Sequence, residues 1–332
     1  MKKILTYLFE HKKLNRAEAK EILVNISKNA YNESQVAAFI TVYLMRAISE
    51  DELQGFVDAL LELCIPVDLD GQDTIDLCGT GGDGKNTFNI STLSSFVVAG
   101  AGYKVTKHGN YGVSSKCGSS DVLETLGYKF TNEVDLLKRQ LDKSNICFLH
   151  APLFHPAMKT VAPIRRQLGV KTFFNMLGPL VNPARPRFQM AGVFNLELTR
   201  LYAYLFQKQK EKRFAVLHAM DGYDEVSLTS NFKIKTQDTD RILSATDLGL
   251  YTLKQEEIYG GETKEEAASI FMQVLNGVGT RAQQSVVYAN AGIAIRVCNP
   301  DLSLIDAVGV AEESVQSGKA LRAFKTLIEM AA

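Results

Sequence analysis

A glycine-rich segment near residue 80 carries the groups best suited to chemistry. The sequence from Asp76 to Thr92 is DLCGTGGDGKNTFNIST, with four glycines among the six residues 79–84. It lies between a predicted strand and a predicted helix, where backbone N–H groups and the positive end of the helix dipole favour an anion. A turn with a helix cap and no ligand is the alternative, but so many glycines are costly in chain entropy for a turn alone. The segment therefore predicts a phosphate-binding loop.

Two common phosphate motifs fit this loop only in part. The spacing of Gly79, Gly81 and Gly84 matches the dinucleotide-binding pattern, but that site needs an acidic residue about 20 positions later. The window from Gly84 to Ser120 contains no Asp or Glu. The P-loop pattern needs Ser or Thr after its lysine, and Asn86 occupies that position. A dinucleotide site and a nucleotidase are therefore both disfavoured. The nucleotidase remains open because Thr87 supplies a hydroxyl one position later than the P-loop pattern requires.

A third interpretation uses the whole segment. Asn89, Ser91 and Thr92 add amide and hydroxyl groups beside the loop. Asp83 can then hold a metal or a sugar hydroxyl without meeting a phosphate. A ligand that combines ribose, diphosphate and Mg²⁺ would use all of these groups.

A second polar segment follows another predicted strand. Residues 107–127 are KHGNYGVSSKCGSSDVLETLG, which offer Lys107 and Lys116 as cations and several serine hydroxyls as donors. A flexible surface loop would explain the glycines but not this clustering of donors and cations. The segment predicts a second wall of the same phosphate site.

Two further groups are candidates for ligand binding. Asp224 and Glu225 follow the predicted strand Phe214–His218, and sites in α/β sheets lie at the carboxyl ends of strands. Paired carboxylates suit a hard cation such as Mg²⁺, although adjacent acids in a loop are often only solvated. Arg165 suits a planar carboxylate, and an ordinary surface arginine is its alternative.

Composition excludes several classes of protein. The 332 residues contain 37 Lys+Arg and 37 Asp+Glu, so the basic excess of a nucleic-acid-binding protein is absent. The five cysteines are scattered without a C-x-x-C pair, which is typical of a reducing cytoplasm. No apolar run approaches the length of a membrane span.

The patterning predicts a small helical domain followed by a larger α/β domain. Residues 1–66 contain three capping-box patterns, and a proline-rich segment at about 163–187 is expected to contribute to the same domain. Residues 67–332 alternate short apolar runs with glycine-rich turns, which indicates a central, mainly parallel sheet. The predicted strands are Thr74–Cys78, Lys104–Lys107, Cys147–Leu149, Phe214–His218 and Val286–Ala289. A helix pair broken near Gly318 is predicted at the C-terminus, and loops with short helices are predicted for 152–187.

The two polar segments together resemble the signature of the anthranilate phosphoribosyltransferases, the second enzymes of tryptophan synthesis. Residues 155–166 (HPAMKTVAPIRR), 172–184 (TFFNMLGPLVNPA) and 222–227 (GYDEVS) extend the resemblance over nearly the whole chain. It implies an α/β fold of the nucleoside phosphorylase/phosphoribosyltransferase type, a homodimer formed through the helical domain, and transfer of a phosphoribosyl group from phosphoribosyl diphosphate to anthranilate. It implies Mg²⁺ as cofactor and no nucleic-acid or membrane partner.

The resemblance also implies individual ligands. Those for phosphoribosyl diphosphate are Gly79, Gly82, Asp83, Thr87, Asn89, Ile90, Ser91, Thr92, Lys107, His108, Gly109, Asn110, Tyr111, Gly112, Val113, Ser114, Ser115 and Ser119. Those for anthranilate are Gly79, Asn110 and Arg165. Those for magnesium are Ser91, Asp224 and Glu225.

Two positions depart from the family pattern. Tyr111 stands where arginine is common, and Tyr223 stands where leucine is usual. Loss of the cation at residue 111 could alter how the loop closes or which aromatic acceptor it admits. A pyrimidine-nucleoside-phosphorylase-like enzyme, a relative with another aromatic acceptor and a non-catalytic binding protein therefore remain as alternatives.

Overall fold

The structure, a computed structural model, describes residues 1–112 and 116–331. These residues form two compact units. The helical unit comprises Met1–Val67 and Ala151–Arg185, and the α/β unit comprises Asp68–His150 and the chain from Pro186 onwards. The second segment of the helical unit begins earlier than the position near 163 expected from the sequence, because the turn of helix at Ala151 already belongs to it.

The helical unit is built from short capped helices. Its helices are α1 (Lys2–Phe9), α2 (Arg16–Ser27), α3 (Glu33–Met45), α4 (Glu50–Leu63), α8 (Ala151–Phe154) and α9 (Pro156–Leu168), followed by 3₁₀ turns at Phe173–Met176 and Gly178–Leu180. All three predicted capping boxes, which start at Asn15, Asn32 and Ser49, are present. The 13-residue helix α9 occupies part of the region where only loops and short helices were predicted, and it contains Pro163.

An aromatic cluster forms the core of this unit. Phe56 stacks on Phe173 with ring centroids 4.6 Å apart, and Phe39 and Tyr43 meet both rings edge-on. Such pairs contribute about 0.5–1.5 kcal/mol each beyond the apolar area that they bury.

The α/β unit contains one seven-stranded sheet with the order β3-β2-β1-β4-β5-β6-β7. Its strands are β1 (Ile75–Gly79), β2 (Val105–Gly109), β3 (Ile146–His150), β4 (Phe188–Gly192), β5 (Arg213–Ala219), β6 (Phe232–Lys235) and β7 (Asp240–Leu243). Neighbours from β3 to β5 are parallel, and β6 and β7 are antiparallel. The predicted mainly parallel sheet and four of the predicted strands are confirmed.

Helices flank this sheet. They are α5 (Ile90–Gly100), α6 (Ser119–Thr125), α7 (Val134–Ser144), α10 (Leu196–Gln207), α11 (Lys264–Leu275), α12 (Arg281–Cys298), α13 (Leu304–Gln316) and α14 (Lys319–Ala331), with 3₁₀ turns at Ala245–Leu248 and Gln255–Ile258. The predicted strand Val286–Ala289 is wrong, because these residues lie inside α12. That helix is buried over most of its length and therefore lacks the polar face that reveals helical periodicity. The helix pair α13–α14 confirms the prediction for the C-terminus.

The strand order changes direction at β1. The chain runs outward from β1 through β2 to β3, then returns to the other side of β1 with β4 and continues to β5. Gly79 at the end of β1 is paired in register with Gly192 at the end of β4. The carboxyl ends of parallel strands at such a switch point form a crevice in which α/β proteins bind ligands. No helix among the described residues is long and apolar enough to cross a membrane.

Candidate active site

The glycine loop, Gly79–Gly84, begins at this crevice. The Thr80 N–H donates to the Gly192 carbonyl (2.9 Å), and the Gly81 N–H donates to Oδ2 of Asp224 (2.7 Å). A Cβ atom at Gly79 or at Gly192 would overlap Asp224. Both positions therefore require glycine, because the acidic residue packs directly against their backbones.

The acid pair Asp224–Glu225 connects the loop to the helix that follows it. Glu225 Oε1 accepts the Ser91 N–H in the first turn of α5 (2.9 Å), while Asp224 holds the loop. Burial raises the pKa of both carboxyl groups, and the nearby carboxylate of Asp83 raises them further. In the free protein the two carboxyl groups therefore favour the protonated form more than ordinary acids do, and a bound cation would favour the ionised form.

This donor set fits Mg²⁺ that is shared with a phosphate ligand. Magnesium prefers oxygen and commonly binds through one or two carboxylates together with substrate phosphates and waters. Within the described residues, no group of three or more His, Cys, Asp or Glu could hold a metal by itself. The two carboxylates and the Ser91 hydroxyl could therefore supply only part of a coordination sphere.

The second loop, Lys107–Ser120, contacts the start of α5, the helix that follows the glycine loop. Asn89 Nδ2, at the start of α5, donates to the Cys117 carbonyl (3.1 Å). At the base of the loop, the Asn110 N–H donates to Ser119 Oγ and the Ser120 N–H donates to the Asn110 carbonyl (3.2 and 3.1 Å). The two predicted walls are therefore brought together, although the predicted ligands Val113, Ser114 and Ser115 fall outside the described residues.

Several predicted ligands have other contacts. The buried Lys107 ammonium donates to the Leu77 carbonyl (2.5 Å), and so it lies within the sheet below the loops. The Ile90 side chain is fully buried in the core, and its N–H donates to the Phe88 carbonyl. Thr92 is also buried, in the first turn of α5. Only the backbone of Ile90 is left as a possible ligand group.

Lys85 and Asn86 have contacts that differ from those of a P-loop. The Lys85 ammonium lies over the ring of Tyr223, 4.6 Å from its centroid, and Asn86 Nδ2 donates to the Gly261 carbonyl (2.8 Å). Tyr223, one of the two departures from the family pattern, thus holds the end of the glycine loop by a cation–π contact.

Tyr111, the other departure, packs onto a histidine that the sequence analysis did not select. Its ring meets His150 edge-on at 4.9 Å, and His150 in turn stacks on Phe130 at 4.3 Å. His150 Nδ1 lies 2.8 Å from Ser120 Oγ, and burial lowers the pKa of the imidazole to about 4. A neutral His150 therefore supports the second loop. The sequence feature that could have indicated His150 is its position directly after the predicted strand Cys147–Leu149.

Arg165 belongs to the helical unit, on α9. Its guanidinium lies over the ring of Phe174 at 5.3 Å, and Nη2 donates to Asn175 Oδ1 at 3.4 Å. Burial lowers the pKa of this guanidinium. Neither of these contacts is with an acidic residue. A guanidinium that is held in place in this way can still bind the carboxylate of a ligand.

Comparison with known proteins identifies the family. Residues 2–64 match the family model described as "Glycosyl transferase family, helical bundle domain", and residues 71–321 match "Glycosyl transferase family, a/b domain". The chain is 56% identical to the anthranilate phosphoribosyltransferase of Cytophaga hutchinsonii and 57% identical to that of Flavobacterium psychrophilum. The first alignment covers 99% of this chain and 100% of the relative, and the second covers 99% of each.

Solved structures agree with this result. The anthranilate phosphoribosyltransferase of Thermus thermophilus superposes with a TM-score of 0.91 at 30% identity and 98% coverage of both chains. The enzyme from Saccharomyces cerevisiae, solved in complex with PRPP and Mg, gives a TM-score of 0.91 at 26% identity, covering 98% of this chain and 96% of that one. The chain therefore belongs to the glycosyl transferase family of these two domains and, within it, to the anthranilate phosphoribosyltransferases.

Proposed function

We propose that the protein transfers the 5-phosphoribosyl group of phosphoribosyl diphosphate to the amine of anthranilate and releases diphosphate, as a step of tryptophan biosynthesis. The observation that carries this proposal is the acid pair, because Asp224 holds the glycine loop through Gly81 and Glu225 holds α5 through Ser91. The predicted phosphate loop and the carboxylates suited to magnesium therefore lie at the same place in the fold. The relatives at 56% and 57% identity are named anthranilate phosphoribosyltransferase, which is the name of an enzyme with this activity.

In the reaction, the bond from the anomeric carbon of ribose to the diphosphate oxygen breaks, and a bond from that carbon to the amine nitrogen forms. Diphosphate leaves with the electron pair, and the amine gives up a proton. An aromatic amine is neutral near pH 7, so no strong base is needed to create the nucleophile. The larger task is to stabilise the departing diphosphate and to hold the reactants in line.

The residues of this chain divide that task. The N–H groups of the glycine loop and of the second loop are proposed to bind the diphosphate and ribose hydroxyls, together with Asp83, Asn89 and Ser119. Ser91, Asp224 and Glu225 would hold Mg²⁺, which when bound neutralises part of the negative charge on the diphosphate. Asn110, Gly79 and Arg165 are proposed to bind anthranilate, with the Arg165 guanidinium on its carboxylate.

A fluorescence assay tests this function. Purified protein with Mg²⁺ and phosphoribosyl diphosphate should consume the fluorescence of anthranilate and release an equal amount of diphosphate. A reaction without phosphoribosyl diphosphate is the control, and an unchanged signal at high enzyme concentration would refute the assignment. The same protein given uridine or thymidine and phosphate distinguishes a nucleoside phosphorylase, which would work without any diphosphate. Other aromatic acids in the first assay show whether Tyr111 has changed the acceptor.

A homodimer through the helical unit is part of the proposal. Large apolar side chains are exposed on this unit at Tyr7, Phe9, Leu44 and Met45. Such side chains are typical of a surface that another chain covers. Light scattering should report a dimer, and Met45→Glu should shift the protein towards the monomer. The free thiols of all five cysteines support a cytoplasmic location.

A further inference from the structure

Asp121 joins two parts of the second loop, and no ligand role is assigned to it. It is the first acidic residue after the acid-free window from Gly84 to Ser120, and only 6% of it is exposed. Its Oδ2 atom accepts the N–H groups of Gly112 (2.8 Å) and Gly118 (2.9 Å). One carboxylate oxygen therefore holds together two glycines that lie six positions apart on either side of the loop.

The other oxygen of Asp121 is bound from a different part of the chain. Lys264, the first residue of α11, places Nζ 2.5 Å from Oδ1. Burial raises the pKa of Asp121, but the two glycine N–H groups and Lys264 outweigh that effect, and the pKa is lower than its ordinary value. Asp121 is thus ionised at neutral pH, with donors on both oxygens.

The segment that leads into Lys264 also contacts the chain just after the glycine loop. The Gly260 N–H donates to the Asn86 carbonyl and Asn86 Nδ2 donates to the Gly261 carbonyl, both at 2.8 Å. Thr87 forms an antiparallel bridge with Tyr259, and a Cβ at Gly260 would overlap the backbone of Thr87. Residues 259–264, named here the strap, therefore contact the chain just after the glycine loop at one end and Asp121 at the other.

A second contact joins the strap to the second loop. Glu262 forms an ion pair with Lys116, one of the two cations noted in the second polar segment of the sequence. Both side chains are more than half exposed, so this pair contributes little by itself. The contacts of Asp121 are the ones that are buried and fixed in direction.

We propose that Asp121 and Lys264 are positioning residues for phosphoribosyl diphosphate: through the strap they fix the second loop relative to the glycine loop before the ligand arrives. The inference rests on the proposed function for the identity of the ligand. A loop whose backbone is already held in one arrangement by Asp121 loses less conformational entropy on binding, and so affinity rises without a new contact.

Asp121→Asn is the sharpest variant. The new amide keeps the shape of the side chain, but whichever way it is turned its NH₂ group faces a donor, either the glycine N–H groups or the Lys264 ammonium. We expect the KM for phosphoribosyl diphosphate to rise about tenfold, with kcat changed less than about twofold, since a buried donor left without its acceptor costs about that much. Lys264→Met should raise the same KM about threefold, as expected for a half-exposed ion pair.

A conservative variant and a double variant distinguish a positioning role of Asp121 and Lys264 from a role of Asp121 in capping α6 alone. Lys264→Arg should restore the KM, and Asp121→Asn combined with Lys264→Met should be no worse than Asp121→Asn alone, because the two residues act through one contact. Lys325→Met removes an exposed lysine of α14 and should leave the KM unchanged. A lower melting temperature with an unchanged KM in Asp121→Asn would overturn the proposal and leave Asp121 as a cap of α6. If that variant does not fold, the Lys264 series decides the matter in the same way.

A measurement without substrate keeps this inference separate from the proposed function. Amide hydrogen exchange of the ligand-free protein should show protected N–H groups at Gly112 and Gly118, and Asp121→Asn should speed their exchange about tenfold. Unchanged exchange would overturn the inference even if the enzyme is active. Calorimetric titration with phosphoribosyl diphosphate reports affinity if the wild type shows no transfer to anthranilate, in which case the proposed function alone has failed.

Discussion

The glycine loop and the second loop are both held by carboxylates that accept backbone N–H groups, but the carboxylates come from different places. Those at the glycine loop, Asp224 and Glu225, lie 143 and 134 positions away from the residues that they bind. The carboxylate at the second loop, Asp121, lies nine and three positions from its two glycines. One loop therefore depends on the tertiary fold for its shape, and the other depends mainly on local sequence.

The charge around the two loops differs as well. Asp121 is neutralised by Lys264, and the pKa of its carboxyl group lies below the ordinary value. Burial, and after it the neighbouring carboxylates, raises the pKa of the carboxyl groups of Asp224 and Glu225. The carboxylate at the second loop is thus stabilised in its ionised form in the free protein, whereas the two carboxyl groups at the glycine loop favour the protonated form more than ordinary acids do. A divalent cation at the glycine loop would stabilise the ionised form of these two carboxyl groups, in keeping with the magnesium site that is proposed there.

Loss of the two carboxyl groups of Asp224 and Glu225 should have the largest effect. Asp224→Asn combined with Glu225→Gln keeps oxygen acceptors for the Gly81 and Ser91 N–H groups but removes both charges. We expect activity to fall by about two orders of magnitude or more, since stabilisation of the departing diphosphate is the main catalytic task. Initial rates measured over a range of Mg²⁺ concentrations check this.

The conservative pair Asp224→Glu with Glu225→Asp is the matched control, because it keeps the charge and shifts the oxygens. It should retain a dependence on Mg²⁺. A double amide variant with a normal Mg²⁺ titration would show that the comparison is wrong and that the acids serve only to hold the backbone.

The same difference explains what the sequence could predict. The second polar segment could be recognised as a unit because its glycines, hydroxyls and cations lie within one stretch of chain, and the capping boxes of the helical unit were predictable for the same reason. The contacts of Asp121 were not predicted. The sequence placed Asp224 near a strand end, but it could not show that Gly79 and Gly192 are glycines because Asp224 packs on them. That contact depends on the pairing of β1 with β4, and β4 itself was not predicted.

Other misses have physical reasons too. Val286–Ala289 was predicted as a strand because α12 is buried on nearly all sides, and periodicity does not distinguish a buried helix from a buried strand. Asn86 was read only as the loss of a P-loop hydroxyl. Its actual partners are in the strap, at Gly260 and Gly261, far along the chain.

Gly79→Ala should have the second-largest effect on activity, and it tests the close packing of Asp224 against the glycine loop. The added methyl group would overlap the Asp224 carboxylate and displace it from the Gly81 N–H. We expect kcat/KM to fall about tenfold or more, because a small displacement of a ligand-holding group is costly in catalysis. Steady-state kinetics at saturating Mg²⁺ measure this effect.

Gly309→Ala is the control, since a Cβ there has nothing within 4 Å. It lies inside α13 and should leave activity unchanged while adding roughly 1 kcal/mol of stability. Equal activities of the two alanine variants would mean that the glycine loop is not crowded as described.

His150 connects the second loop to pH. Its pKa is lowered by burial to about 4, whereas an unfolded histidine has a pKa of about 6.5. Between these values the unfolded chain binds a proton that the folded protein does not, so stability falls as the pH falls from about 6.5 towards 4. His150→Phe should remove this part of the acid sensitivity. Urea unfolding of both proteins at pH 7 and pH 4.5 measures the difference, and parallel losses of stability would contradict the prediction.

Tyr111 should give the smallest effect, because the second loop is closed mainly by Asp121. Tyr111 is 40% exposed, and its hydroxyl donates to Glu124 Oε1 over a long distance of 3.4 Å. Tyr111→Phe keeps the ring on His150 and should change the KM for phosphoribosyl diphosphate less than about twofold, whereas Tyr111→Ala loses the ring contact and should raise that KM about threefold. Tyr111→Arg restores the residue common in the family. If it alone changed the preferred aromatic acid in the fluorescence assay, Tyr111 would determine acceptor choice and would not act only as a packing residue of the second loop.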